Sequence, residues 1–483
     1  MKYVESYKDS NRKDFKLKLY DKLVEYSKSN IYPMHMPGHK RNDKFLNMIN
    51  PYLLDITEID GFDNLFHAEG LIKEAMGRAA KIYNSDYTNF MIGGSSAGIL
   101  SGISACTKKG DKILVARNCH KSVYNAIYIN ELRPIYIYPQ TNSQYDINCG
   151  INPETIEKML IEHRDIKLII ITSPTYEGVI SDIKGISKMS HKHKIPLFVD
   201  EAHGSHLGFH PYFPANSIKA GADIVIHSLH KTLPAFTQTG LIHVNSTLVD
   251  YEKVKECLSI YQSSSPSYLL MASIDKCINL LIEEGDELFA SFTKRLETFY
   301  EKSEQLEHLK IIRKKNMHFD PSKIIISVRD ADISSIELYN FLLEKHKIQV
   351  EMVSMDYIIA MTSICDTDLG FNRLLDALLE IDVQVKKRQS NYIINMDILY
   401  QDIETVKSIY EAKTAASETI PFADSGGRVT KEYIYLYPPG SPILIPGERI
   451  TEKHIKYLME CKKFGLNIQG LDDYDLNLIK VLM

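Results

Sequence analysis

From about residue 85 the chain alternates short apolar runs with longer amphipathic stretches. The runs lie at 88–92, 112–116, 134–138, 167–172, 195–200, 223–227 and 240–245, and the amphipathic stretches at 96–107, 121–131, 153–163 and 184–193. Short apolar runs read as strands and helical periodicity between them as crossovers, which predicts an α/β unit with a mostly parallel, seven-stranded sheet. The run from Lys167 to Thr172 is continuously apolar rather than alternating, the pattern of a strand covered on both faces.

After about residue 290 the rhythm changes. A long helical stretch leads to a strand at 323–328, a helix at 334–345, strands near 348–352 and 357–362 and a helix at 370–386, which together predict a smaller α+β domain. The segment 414–432 is rich in Ala, Ser, Thr and Gly and reads as a connection to Tyr437–Glu448 and a last helix beginning near Thr451. At the other end, residues 1 to about 30 are polar and charged, an arm or amphipathic helix. Pro37 and Gly38 make the following Met34–Lys40 irregular. The expected division is an N-terminal arm at 1–40, a large domain at 41–290 and a C-terminal part at 291–483.

Composition narrows the classes. Hydrophobic residues are 44% of the 483, and 57 Lys and Arg against 62 Asp and Glu leave a formal charge of -5. That balance gives no electrostatic case for nucleic acid or an anionic membrane as the main partner. The first ten residues carry charges where a signal peptide needs an apolar core, and no apolar run reaches the ~18 residues of a spanning helix. A cytoplasmic protein is expected. The seven cysteines are scattered without a CxxC pair, which fits reduced thiols.

Polar residues of particular types follow several of the apolar runs. Val199-Asp200-Glu201-Ala202-His203-Gly204 closes one, and His227-Ser228-Leu229-His230-Lys231-Thr232 closes another. In open α/β sheets ligands bind beyond the carboxyl ends of the strands, so both segments reach one rim. A pyridoxal cofactor needs an amine to bond its aldehyde and a carboxylate to keep its pyridine nitrogen protonated, and Lys231 and Asp200 are these types. A lone lysine after a strand is usually a surface residue; the paired motifs make that reading of Lys231 weak. Phe90-Met91-Ile92-Gly93-Gly94-Ser95-Ser96-Ala97-Gly98 joins a strand to a helix, and is either a phosphate cradle or a tight turn with a serine cap. It is neither G-x-G-x-x-G nor a Walker loop, which counts against a dehydrogenase. His120 follows the next strand and could stack on a cofactor ring, although alone it would be a histidine near a helix start. His206 and His210 have zinc-ligand spacing beside His203, but Gly204, Gly208 and Pro211 oppose a regular helix there, so no metal is expected.

Together these segments resemble the Orn/Lys/Arg decarboxylase family, within the aspartate-aminotransferase-like (fold type I) pyridoxal-phosphate enzymes. The stretches that carry the resemblance are Met36–Lys40, Gly93–Ala97, Arg117–Ser122, Ser173–Gly178, Asp200–Gly204, His227–Lys231, Tyr437–Gly440 and Pro446–Glu448, in family order. The length matches the short members that lack the N-terminal wing domain.

The resemblance implies pyridoxal 5'-phosphate as cofactor and decarboxylation of a basic amino acid, arginine before lysine or ornithine, in polyamine biosynthesis. It implies Lys231 as the Schiff-base lysine, Asp200 as the partner of the pyridine nitrogen, His120 on the ring face with Ala202 beneath, and His203 near the Lys231 bond. Ser95, Ser96, Ser228 and His230 would hold the phosphate or its approach, with Ala97 where larger members carry a hydroxyl. Lys231 or His230 would return a proton to Cα. Of Glu58, Asp60, Asp63 and Glu448, Glu448 is chosen to read the distal cation.

A homodimer or higher homo-oligomer with shared active sites is implied, with the Met36–Lys40 and Gln262–Ser267 loops as candidates to cross and Ser264 or Ser265 as a phosphate contact. The alternatives are another fold type I reaction, transamination or aldol cleavage, and a catalytically silent cofactor-binding regulator.

Overall fold

The computed structural model describes residues 19–142, 147–313, 318–389, 403–438 and 440–483, so the first 18 residues of the expected N-terminal arm and Pro439 lie outside the described residues. All seven apolar runs form strands of one sheet: β1 (Tyr87–Met91), β2 (Lys112–Ala116), β3 (Arg133–Ile137), β4 (Ile166–Thr172), β5 (Leu197–Asp200), β6 (Ile224–His227) and β7 (Gly240–Val244). Their order is β1-β7-β6-β5-β4-β2-β3, and β7 runs opposite to both neighbours while the rest are parallel. Helices α1 (Gly94–Cys106), α2 (Lys121–Ile129), α3 (Pro153–Glu162) and α4 (Ile183–Lys192) make the crossovers. Side-chain caps at the starts of α2, α3 and α4, such as Asn152 accepting from Glu154 N and Asp182 from Gly185 N, stop the chain from running on as strand. The sheet interior is the main core, with Leu114, Val115, Ile169, Ile170, Phe198 and Val225 all buried.

The helix Tyr268–Ser303 runs unbroken for 36 residues through position 290, so the expected domain boundary falls inside a continuous element. Beyond it, Lys310–Ile311, Lys323–Ser327, Tyr357–Met361 and Met352–Val353 form a four-stranded antiparallel sheet in that order, with helix Ser335–Glu344 against its last two strands and helix Asp368–Asp382 against Tyr268–Ser303. The strand expected near 348–352 is split at Glu351. Ile348–Val350 pairs in parallel with Tyr32–Met34, so the N-terminal segment is part of this smaller unit.

The segment 414–432 is not a plain connection. Ser417–Pro421 pairs antiparallel with Leu478–Leu482, and Pro442–Leu444, Ile434–Leu436 and Ile468–Gln469 make a three-stranded sheet. The helix Glu452–Lys463 packs with them around a separate core that includes Phe422, Leu444, Leu458 and Val481. No helix among the described residues is long and apolar enough to cross a membrane.

Candidate active site

Parallel strands ending at one rim leave their next residues facing one space. A cavity of about 570 Å³ opens there. Its lining includes Ser95 and Ser96 after β1, His120 after β2, Glu177 after β4, Asp200 and His203 from β5 onward, and Ser228, His230 and Lys231 after β6. Met36 and Pro37, Glu351, and Tyr437 and Pro438 close it from the N-terminal segment, the smaller unit and the C-terminal unit.

Lys231 lies in a single helical turn, Leu229–Thr232, that begins as β6 ends. Its Nζ is 3.0 Å from His203 Nε2. Burial lowers the pKa of Lys231, and Asp200 and Glu351 oppose that shift. Asp200, the last residue of β5, accepts from Ala202 N at 3.2 Å; burial raises its pKa and Lys231 opposes the rise. The amine and the carboxylate thus sense each other across one cavity.

Two further histidines are held neutral. His120 caps α2, its Nδ1 accepting from Ser122 N at 3.3 Å, and burial lowers its pKa to about 3. Gly440 lies against the ring edge at positive φ, where an added Cβ would come 3.3 Å from His120 Cδ2. His230 Nδ1 donates to Thr239 O at 2.8 Å, which leaves Nε2 as the acceptor, and burial brings its pKa to about 4.

These depressed values have a stability consequence. Below pH 6.5 the unfolded chain takes protons that folded His120 and His230 refuse, so their contribution to stability is full above 6.5 and is lost as pH falls toward 4 and then 3. Thermal unfolding of the apoprotein is expected at lower temperature in mild acid than at neutral pH, and His120→Asn should flatten that slope. An unchanged slope in the variant would contradict the assignment.

At the start of α1 the backbone is bare at Gly93 and Gly94, and Gly94 takes positive φ. Gln262 Oε1 accepts from Ile92 N at 2.8 Å and Gly93 N at 3.3 Å, which fixes the turn from behind. Ser95 Oγ and Ser228 Oγ are in hydrogen-bond contact, and Ser96 Oγ is 2.9 Å from Ser122 Oγ. Hydroxyls gathered at a helix N-terminus suit a phosphate. Asn118 and Asn148, both in the lining, each have a buried side-chain oxygen without a hydrogen-bond partner. Amine, carboxylate, neutral imidazole faces and hydroxyl cradle therefore fit pyridoxal phosphate.

Several expectations are corrected. Glu448 does not line the cavity. It is wholly buried and paired with equally buried Arg117 (Nη2–Oε2 3.0 Å), and also accepts from Ile445 N at 2.9 Å, so its charge is already committed. Ala97 turns into the core rather than the cavity, against Gly93. The Met36–Lys40 loop packs on its own chain, with Gly38 N donating to His230 O at 2.7 Å; an added Cβ at Gly38 would meet the backbone of Leu233.

Asp63 accepts from the backbone of Asn64, Glu69, Gly70 and Ile72, a turn and helix-start role, and neither Glu58 nor Asp60 lines the cavity. The three clustered histidines separate: His203 faces Lys231, His206 meets Asp320 at 3.0 Å and His210 Nδ1 accepts from Tyr212 N at 3.2 Å. Among the residues now found at the site, Glu351, Tyr176 and Lys323 had no assigned role. Glu177 lay inside a motif without one.

Two family models match the chain. "Orn/Lys/Arg decarboxylase, major domain" covers residues 18–325 and "Orn/Lys/Arg decarboxylase, C-terminal domain" covers 390–474. Arginine decarboxylases from Bacillus anthracis and from Bacillus subtilis (strain 168) are each 33% identical over 477 residues, which is 96% of this chain and 97% of theirs. The crystal structure of the Francisella novicida lysine decarboxylase LdcF has a TM-score of 0.75 at 21% identity and covers 96% of this chain and 80% of that one, so the two share a fold.

Proposed function

The chain belongs to the Orn/Lys/Arg decarboxylase family, and from that premise we propose that it decarboxylates arginine, in preference to lysine or ornithine, to agmatine and carbon dioxide with pyridoxal 5'-phosphate. The observation that carries this is one cavity holding Lys231 opposite Asp200, with two more carboxylates, Glu177 and Glu351, in its lining. Three acids against one lysine favour a cationic substrate. The arginine decarboxylase relatives favour the guanidinium over the ammonium.

When bound, pyridoxal phosphate supplies an electron sink that takes up the pair left as the Cα–carboxylate bond breaks. Asp200 would hold the proton on the ring nitrogen from a buried position. Ser95, Ser96 and Ser228 would hold the phosphate at the start of α1. His120 and Ala202 would hold the ring from its two sides, His120 as an uncharged imidazole. Lys231 Nζ would tether the cofactor and, with His230 as the alternative donor, return a proton to Cα. His203, 3.0 Å from that amine, orients it.

Glu177 and Glu351 replace Glu448 as the acids for the distal cation. Glu351 is held by Met36 N at 2.8 Å and Tyr176 Oη at 2.5 Å, and Glu177 by Tyr357 Oη at 3.0 Å. Each keeps acceptor capacity for a planar fork. Glu177→Gln is expected to raise the KM for arginine about tenfold or more, the loss of a charge-assisted hydrogen bond, with a smaller change in kcat. An unchanged KM would remove Glu177 from substrate recognition.

A homodimer completes the reading. Ile49, Tyr52, Leu53, Ile59 and Phe62 stand exposed in one stretch of chain, and Tyr52 is 90% accessible, which suits burial against a second copy. The exposed Ser264 and Ser265 remain candidates to enter the partner's site. Free thiols at all seven cysteines favour a reducing compartment such as the cytoplasm.

Incubation with arginine, lysine and ornithine tests the function. Agmatine and carbon dioxide in equal amounts are expected from arginine, with the other two slower. A keto acid would favour transamination, and no product would favour a silent regulator.

A further inference from the structure

His203 stands between two buried amines. Its Nε2 is 3.0 Å from Lys231 Nζ and its Nδ1 is 2.9 Å from Lys323 Nζ. A neutral imidazole carries one N–H and one lone pair, an imidazolium carries two N–H groups, and an ammonium only donates. Two ammonium groups cannot both bond a neutral ring, and neither can bond a charged one. Burial keeps His203 uncharged, with Lys231 and Lys323 adding to the shift. At least one of the two amines must therefore be neutral. The amine that bonds a cofactor aldehyde has to be the neutral one, because an ammonium has no electron pair to attack with.

Lys323 is placed for the charged role. It opens the strand Lys323–Ser327 and is wholly buried behind His203, outside the cavity. Its stem lies over Gly178, where a Cβ would come within 2.8 Å of Lys323 Cγ, so bare backbone makes room for it. The charged groups facing it are Asp320 from the preceding loop, Glu351 from the smaller unit, Lys231 from the turn after β6 and Lys40 from the N-terminal segment. Glu177 also acts on it from the turn after β4, and the Tyr176 ring lies 6.0 Å away. With Asp320 and Glu351 opposing the burial cost, its pKa falls only to about 8, so the amine can both hold and release a proton near neutral pH.

We propose that Lys323 is a positioning residue and proton store, acting through His203, that leaves Lys231 a neutral amine whenever it is not bonded to cofactor and sends it a proton during turnover. While Lys231 is unbonded, Lys323 ammonium donates to His203 Nδ1 and His203 Nε2–H donates to neutral Lys231. In transfer, Lys323 loses one proton to Nδ1 and the ring releases the Nε2 proton to Lys231. His203 ends neutral with its tautomer exchanged, and the charge has moved from Lys323 to Lys231. Decarboxylation consumes one proton at Cα per turnover, so the store empties once. Solvent entering after product leaves refills it through His203, which lines the cavity.

The proposal rests on Lys231 as the cofactor lysine, and its test separates the two claims. Apoenzyme is titrated with pyridoxal phosphate across a pH series, reading the visible absorbance of cofactor bonded to lysine. In Lys323→Met, His203 is free to accept from Lys231 ammonium. The pH midpoint should then rise by about one unit, or about tenfold slower bonding at neutral pH. Lys323→Arg should keep the midpoint, since its guanidinium still donates to Nδ1. It should nevertheless lose about a hundredfold in kcat, because arginine does not release the proton.

A wild-type midpoint in Lys323→Met overturns the resting arrangement, and wild-type turnover in Lys323→Arg overturns the proton return. Should either variant fail to fold, ¹⁵N-lysine NMR of the unmodified apoenzyme decides. One neutral and one charged amine at these two positions are expected, and two ammonium signals overturn the proposal. If Lys231→Ala still gains the visible band, the reading of Lys231 itself fails. If that band is lost while the Lys323→Met midpoint is unmoved, only the proton store fails.

Discussion

Lys231→Ala is expected to fold, to bind pyridoxal phosphate without its visible band, and to turn over arginine slower by about 10⁴ or more, the upper range for a group that moves a proton. Binding survives because the phosphate cradle at Gly94–Ser96 and Ser228 and the carboxylate of Asp200 are separate from the amine. The catalytic loss is large because one Nζ has two duties, tethering the cofactor and protonating Cα. Removal of a buried amine from a site where burial already lowers its pKa should not cost stability. Spectra and single-turnover rates check both parts. Substantial turnover in this variant would refute the role given to Lys231.

Glu448→Ala is expected to destabilise the protein by about 3–5 kcal/mol, since it leaves the guanidinium of Arg117 buried without its counter-charge. Arg117 Nη1 and Nη2 also donate to Pro442 O at 2.6 Å and Ile443 O at 3.1 Å, so this cation ties the strand end after β2 to the C-terminal unit that brings Tyr437 over the cavity. Activity should be lost through stability, with the KM for arginine unchanged at temperatures where the variant is folded. Denaturant unfolding of both proteins measures the first part. A cost below about 1 kcal/mol, the range of an exposed pair, would contradict it. A selective rise in KM would return Glu448 to substrate recognition.

The inner strands of the sheet were legible because strands buried on both faces read as unbroken apolar runs, as Lys167–Thr172 does. Ser417–Pro421 was not legible for the opposite reason. It pairs with one neighbour, stays largely exposed and carries Ser, Glu and Thr, so its composition is that of a linker. Asp200, His203, Ser228, His230 and Lys231 were legible because each directly follows or ends an apolar run at one rim. Lys323 and Glu351 come from a different unit, 120 residues from His203 in the case of Lys323, and reach the site only through tertiary packing. A lysine opening an apolar strand ordinarily marks its solvated end. The sequence hint was indirect: Gly178 sits beside Glu177 in the Ser173–Gly178 segment, and its missing Cβ makes space for the lysine stem. Glu448 misled because its motif is real while its partner, Arg117, lies in another motif 331 residues away.

The most direct test is to load the enzyme with pyridoxal phosphate, fix the bond with borohydride and map the modified peptide by mass spectrometry. The account predicts the pyridoxyl mass on Lys231 alone, and its loss from the peptide map in Lys231→Ala. Modification at Lys323, at Lys40 or at a surface lysine, with Lys231 untouched, would contradict it.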